Sequence, residues 1–341
     1  MSGDGQIPLL GRAIYSYAAA SHVQVECMSV KRFPYGGQAV LEGVMMRGLR
    51  QATIAVRGPS GAIVFKHEPL DVVRRHHWEN APFLRGVLML WDTLSLGVRA
   101  LNFSASVAAG EDEEPPSRAA LTITLVISLA FAFGLFFALP LLLASLLTLL
   151  GATNLMRDAA EGFIQLGIFI GYLALIGRMP DIQRVFSYHG AEHKAINAYE
   201  AGAPLTVSSV RSFTLIHPRC GTSFLLVVVV LSIPIFALFG HLPLWGRLLS
   251  RVVLVPLIAA IAYELLRLSA ANYHRRWVRA LVSPSLALQQ LTTREPDDSM
   301  VAVAIAALLP VLAADGVAID RYDSDLVAGV HAPEPASVAL A

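Results

Sequence analysis

The alternation of apolar and polar stretches divides the chain before any residue chemistry enters. From Ala119 to Leu150 run 32 residues without a charged side chain. As one helix they would reach roughly 48 Å at 1.5 Å per residue, beyond a hydrocarbon core of about 30 Å. Pro140 leaves a full span before it and only a short piece after it. The run therefore reads as one crossing with an interfacial extension, and a hairpin turned at Pro140 is the alternative. Three more apolar runs follow: Gly162 to Gly177, Thr222 to Gly240 with Pro234 inside it, and about Val252 to Leu268 with Glu264 near its far end. Four crossings place both termini on one side. Between the second and third runs lie Arg178, Arg184, Lys194, Arg211 and Arg219, and Arg275, Arg276 and Arg279 follow the fourth. The opposite connections hold only Arg157 in one, and Arg247 with Arg251 in the other. This asymmetry predicts that residues 178–221 and both termini are cytoplasmic. A hairpin at Pro140 would change that parity.

Outside the spans the period changes. Thr53 to Val56 and Ala62 to Phe65 flank Gly58-Pro59-Ser60-Gly61, which predicts a β-hairpin. Pro82 to Ser104 repeats Leu84, Leu88, Trp91, Leu94 and Leu101 at helical spacing. Glu111-Asp112-Glu113-Glu114-Pro115-Pro116 reads as a solvated linker. Ser299 to Leu312 is apolar but too short to span, so it should pack on the cytoplasmic region. Residues 7–20 lack the basic start and continuous apolar stretch of a secretory signal. The expected organisation is a poorly ordered lead-in 1–27, a soluble region 28–118, a transmembrane region 119–270 carrying the loop 178–221, a cytoplasmic helical tail 271–312 and a loosely structured end 313–341. The fold class is a predominantly α-helical multipass membrane protein of about four transmembrane helices, with a small N-terminal α+β cytoplasmic region.

Composition narrows the function classes. Hydrophobic residues make up 55%, charged residues 15%, and mean hydropathy is +0.59. Soluble domains usually carry about 25% charged residues, so composition argues against a purely soluble enzyme and the lipid bilayer is the expected partner. A net charge of +1 removes the electrostatic case for a nucleic-acid binder, which usually needs a strongly basic face. Two cysteines, Cys27 and Cys220, cannot build a disulfide framework.

The chemistry concentrates in the loop 178–221. His189-Gly190-Ala191-Glu192-His193 is an H-x-x-E-H sequence. On a helix the two histidines sit one turn apart on one face, able to reach one ion, and Glu192 could accept a proton from a metal-activated water. His217-Pro218-Arg219-Cys220 adds an imidazole and a thiol at the mouth of the third span. Imidazole and thiolate together suit a divalent metal, zinc first among them. Against this stands the bland reading of packing histidines and a small buried cysteine. Two more carboxylates are candidates. Glu42, in a glycine-rich stretch, either serves the site or pairs with Arg47. Glu264, ionisable within a span, is a functional candidate by default, unless it pairs with Arg267 one helical turn on.

Gly36-Gly37-Gln38-Ala39-Val40-Leu41-Glu42-Gly43-Val44-Met45-Met46-Arg47-Gly48, His189 to Glu200, His217 to Phe224 and Leu291 to Asp298 together resemble the YqhQ-like family of multipass membrane proteins. The resemblance covers about residues 28–312. The family is described as predicted metal-dependent enzymes of unknown reaction, so the resemblance implies a metal site and a membrane location, the plasma membrane in a bacterium, and supplies no substrate. Two function classes follow. One is a membrane-embedded hydrolase with Glu192 as base, acting on membrane peptides or lipid-derived esters. The other is a non-enzymatic membrane protein whose closed site of His189, His193, His217 and Cys220 pins the loop to the spans. A catalytic zinc keeps one position open and a structural zinc does not, so ligand count separates them. A transporter, resting on Glu264 and Pro234, is a weaker third.

Overall fold

The computed structural model describes residues 35–70, 84–110, 117–318 and Tyr322. The lead-in 1–27 with Cys27, the acidic run 111–116 and the chain end beyond 318, Tyr322 apart, lie outside the described residues.

A four-stranded antiparallel sheet opens the fold, with strands β1 (Gly36–Val40), β2 (Gly43–Arg47), β3 (Gln51–Arg57) and β4 (Ile63–Pro69) in sequential order. The hairpin expected around Gly58–Gly61 is β3–β4, with Val56 opposite Val64 and Thr53 opposite His67. A second hairpin, β1–β2, turns at Leu41 and Glu42 and was not legible, because its glycines blur the period-two signal. Glu42 sits there at φ +51°, a conformation L-residues seldom adopt.

Both faces of the sheet are covered. Alternation along the strands sends Val40, Met45, Ile54 and Val56 to one face, where Leu96 and Ala100 of helix α1 (Leu84–Ala109) meet them. Val44, Met46, Ala55 and Phe65 face the other way, onto the last helix and the helix that carries the histidines. Leaving a face of this sheet bare would forfeit roughly 1.5–3 kcal/mol for each large side chain exposed.

Ala119–Leu150 forms one continuous rod, α2, and not a hairpin. A π-helical turn at Gly134–Ala138 precedes Pro140. It accommodates a residue that has no N–H to donate and whose ring crowds the preceding turn. Gly151, at φ +79°, closes the rod. There follow α3 (Asn154–Ile176), α4 (Pro180–Glu200), α5 (Val207–Arg211), α6 (Gly221–Ala237), α7 (Leu244–Ala271), α8 (Arg276–Thr292) and α9 (Asp298–Ala314).

Among the described residues three helices, α2, α3 and α7, are long and apolar enough to cross a membrane. The expected third span, α6, is a shorter apolar helix of 17 residues. Val126, Ile127, Leu129 and Phe131 of α2 are largely exposed, a surface compatible with a membrane protein. Two helices begin earlier than the apolar runs suggested. α3 takes in Arg157, Asp158 and Glu161, and α7 takes in Arg247 and Arg251. These arginines are buried and ion-paired, not loop charges. α9 is buried on nearly every side against β2, β3 and α4, which explains an apolar helix too short to span.

Candidate metal centre

α4 carries the H-x-x-E-H sequence. Pro180 opens it at a position where a missing N–H costs nothing, and Asp181 suits the positive end of the helix. The i, i+4 spacing brings the rings of His189 and His193 to 4.4 Å between centroids. Each ring is oriented by a backbone carbonyl. Nδ1 of His189 donates to Thr292 O at 2.8 Å, and Nδ1 of His193 donates to Leu215 O. A carbonyl can only accept, so both Nδ1 atoms carry a proton, and Nε2 is the atom through which either ring could ligate a metal. Ligating histidines are held by this kind of outer hydrogen bond.

His189 Nε2 lies 3.2 Å from Cys220 Sγ, and His193 Nε2 is buried with no hydrogen-bond partner. Ligand atoms of His189, His193 and Cys220 all fall within 4.8 Å of one another. Cys220 N-caps α6, where Sγ accepts from Thr222 N at 3.4 Å. Glu192 is buried, and its Oε2 stands 4.0 Å from both Nε2 atoms. Gly37 of β1 lies against it, and a Cβ there would sit 3.0 Å from Glu192 Cγ. The missing side chain therefore lets the strand close over the carboxylate.

His217 stands beside this trio. Its ring is 5.7 Å from that of His193, while its Nε2 lies 3.6 Å from Glu200 Oε2. Burial holds its pKa below the usual histidine value, so the ring is neutral at pH 7. Three of the four expected ligands are thus brought together, and the fourth is next to them, outside the group.

Glu42 does not pair with Arg47. Its carboxylate accepts from Arg184 Nε at 2.6 Å and Nη2 at 2.5 Å, and from Tyr188 OH at 3.4 Å. The Arg184 hydrogen bonds hold Glu42 below its ordinary pKa, and burial pushes Tyr188 up to about 12. Arg47 turns instead to Asp92 and Thr93. Glu264 does not pair with Arg267 but accepts from Arg85 Nε at 2.6 Å and Nη2 at 2.5 Å, tying α7 to α1. Neither carboxylate joins the trio. Glu42 clamps the β1–β2 turn onto α4, one turn ahead of the histidines.

Sequence reasoning missed several supports. Gln289 holds His217 by both backbone groups, accepting from N at 2.9 Å and donating to O at 2.8 Å. Asn197 donates to Thr214 O and Ile216 O, steadying the segment that presents Leu215 O. Buried Lys194 donates to Glu295 Oε1 at 2.6 Å and Arg211 O at 2.7 Å. The one available signal for Gln289 was an amide on the apolar stripe of α8. A carbonyl such as Thr292 O leaves no trace in a side-chain pattern. All four stretches that carried the resemblance meet at this place, and two imidazoles with one sulfur form a donor set that fits zinc.

Fold and site define a mostly helical protein with, among the described residues, three membrane-length helices, a small antiparallel sheet and a largely buried His-His-Cys group. The chain belongs to the family described as "Protein of unknown function (DUF1385)", whose model matches residues 81–314. Over 299 residues it is 36% identical to the uncharacterized protein YqhQ of Bacillus subtilis (strain 168), covering 82% of this chain and 92% of that one. No solved structure matches.

Proposed function

We propose that this chain is an integral membrane, metal-dependent hydrolase in which His189, His193 and Cys220 hold a divalent metal, zinc first, and Glu192 carries the proton. What supports the reading most is the pairing of two Nδ1-anchored imidazoles with a carboxylate equidistant from both Nε2 atoms. In this reading α2, α3 and α7 cross the membrane, α6 crosses as a thinner fourth, and the trio lies at the cytoplasmic face. The arginine count favours that orientation more strongly once Arg157, Arg247 and Arg251 are removed from the loops.

A divalent ion at the trio would supply Lewis acidity toward a carbonyl or phosphoryl oxygen. The chain's own residues do the rest. Thr292 O and Leu215 O fix the imidazole tautomers, and Glu192 offers Oε2 as the place where a proton is taken up and returned. Burial under β1 keeps bulk water from that carboxylate. Leu288 and Leu291, on α8 beside Gln289 and Thr292, join Phe169, Leu226 and Val229 in an apolar cluster next to the site. A substrate with an apolar portion, a membrane peptide or a lipid-derived ester, suits such a border.

His217 keeps a second reading in play: rotated toward His193, it would complete a closed structural site. Metal analysis of detergent-purified protein, with Glu192→Gln alongside, tests both. The hydrolase reading expects one metal per chain in both proteins and loss of cellular function in the variant. Full complementation of a deletion by Glu192→Gln would refute it.

A further inference from the structure

The far ends of the long helices hold a second buried polar cluster that the proposed reaction does not use. α3 contributes Arg157, Asp158 and Glu161, and α7 contributes Arg247 and Arg251, all of them largely or wholly buried. Arg251 Nη2 donates to Glu161 Oε1 at 2.5 Å, and Arg247 pairs with the other oxygen of the same carboxylate. Arg157 donates to Asp158 Oδ1 at 2.9 Å and to Gly240 O at 2.7 Å. Three guanidiniums thus share two carboxylates, and one positive charge is left over. Arg251 stacks over Phe236 at 4.0 Å, which softens its burial without neutralising it.

The donors are also under-used. The Nε atoms of Arg247 and Arg251 are buried and have no hydrogen-bond partner. Leaving a buried charged donor unpaired is costly, and an oxyanion is the chemistry that would satisfy it. Two of the three helix ends meeting here are N-termini, since Arg157 and Arg247 each lie in the first turn or so of their helices. Those ends add positive potential. The rim is apolar and aromatic: Trp245 is 70% exposed, and Leu149, Leu150 and Leu155 are more exposed still. Exposed tryptophan beside exposed leucine is what the boundary between headgroups and acyl chains selects.

We infer that this arginine cluster binds a phosphate group, with the headgroup phosphate of an anionic membrane lipid as the source that its rim favours. The inference takes the membrane crossing from the proposed function and is independent of the metal. Arg247, which spends only Nη2 within the protein, and Arg251 would supply the donors, and arginine's fork matches phosphate oxygens.

The test uses the full chain, purified in detergent and placed in nanodiscs of phosphatidylcholine alone or of phosphatidylcholine with phosphatidylglycerol. Native mass spectrometry reads retained lipid, and thermal unfolding reads stability. A detergent arm adds inorganic phosphate against chloride at equal ionic strength. Phosphatidylglycerol retained through ejection, with a raised unfolding temperature, supports the lipid source. The same stabilisation by inorganic phosphate alone supports the phosphate site and assigns it to the free anion. Arg247→Gln should weaken retention about tenfold or more, as loss of a charge-assisted contact does, with metal content unchanged. If that variant does not fold, the wild-type arms still decide. No preference for phosphatidylglycerol and no response to phosphate would overturn the inference and leave a self-contained ionic lock. Recovery of the protein from the soluble fraction without detergent would overturn the lipid source together with the membrane reading, and the phosphate arm would then stand alone.

Discussion

Gly190 lies one residue after the first histidine, inside α4, and Gly190→Ala isolates how the site is supported. In an ordinary helix interior this change gains up to about 1 kcal/mol, because alanine is the better helix former. Here the sign should reverse. A Cβ at Gly190 would overlap the carbonyl oxygen of Arg294 and lie 2.8 Å from Leu215 Cδ2. Restoring an ordinary contact near ~3.5 Å requires the Arg294 backbone to retreat by roughly 1 Å. That backbone is tied to α4 by Arg294 N donating to Phe186 O at 3.0 Å. It also lies two residues from Thr292, whose carbonyl accepts the hydrogen bond of His189 Nδ1 at 2.8 Å. A shift of that size breaks the His189 hydrogen bond, and losing such an outer partner typically lowers metal affinity by about 10–100-fold. Overpacking adds roughly 1–3 kcal/mol of destabilisation. The assay is zinc competition with a chromogenic chelator in detergent, together with thermal unfolding. Gly167→Ala, where nothing lies within 4 Å of the new methyl, is the control and should be neutral or stabilising. Wild-type zinc affinity with an unfolding temperature at or above wild type would refute the reasoning.

His217→Ala should keep most of the zinc and Cys220→Ala should lose most of it, as read by metal analysis; equal losses would make the site four-coordinate and structural. Glu42 has its pKa depressed by Arg184, so its contribution is present above the unfolded value of about 4.3 and fades as pH falls through the lower folded value. Glu42→Gln should therefore destabilise at pH 7 and lose less on acidification than wild type, and parallel unfolding-temperature profiles would contradict this. Ser208→Cys, at an exposed position on α5, should resist an impermeant thiol reagent on intact cells in a Cys27→Ser background and react after permeabilisation; labelling of intact cells would invert the topology.

Much of this protein is local and could be read residue by residue. Apolar runs announce long helices because lipid or a protein interior must accept their side chains whatever their partners are. The His189 and His193 pair is fixed by one helical turn, and the β3–β4 hairpin by a turn sequence between two short apolar strands. The family, too, was legible from four separated stretches. What only the tertiary structure decided is who meets whom across the chain. Glu42 and Glu264 each had an arginine nearby in sequence, yet their bidentate partners are Arg184 and Arg85, 142 and 179 residues away. Such pairs leave no period, since a charge has no preferred spacing to a partner on another element. Arg157, Arg247 and Arg251 looked like loop charges for the same reason, because hydropathy scores each residue alone and cannot see that a carboxylate waits inside the bundle. The carbonyls of Thr292 and Leu215, which aim the two imidazoles, belong to the backbone and are the same for every residue type. Their role exists only where the fold brings them within 3 Å of a ring nitrogen.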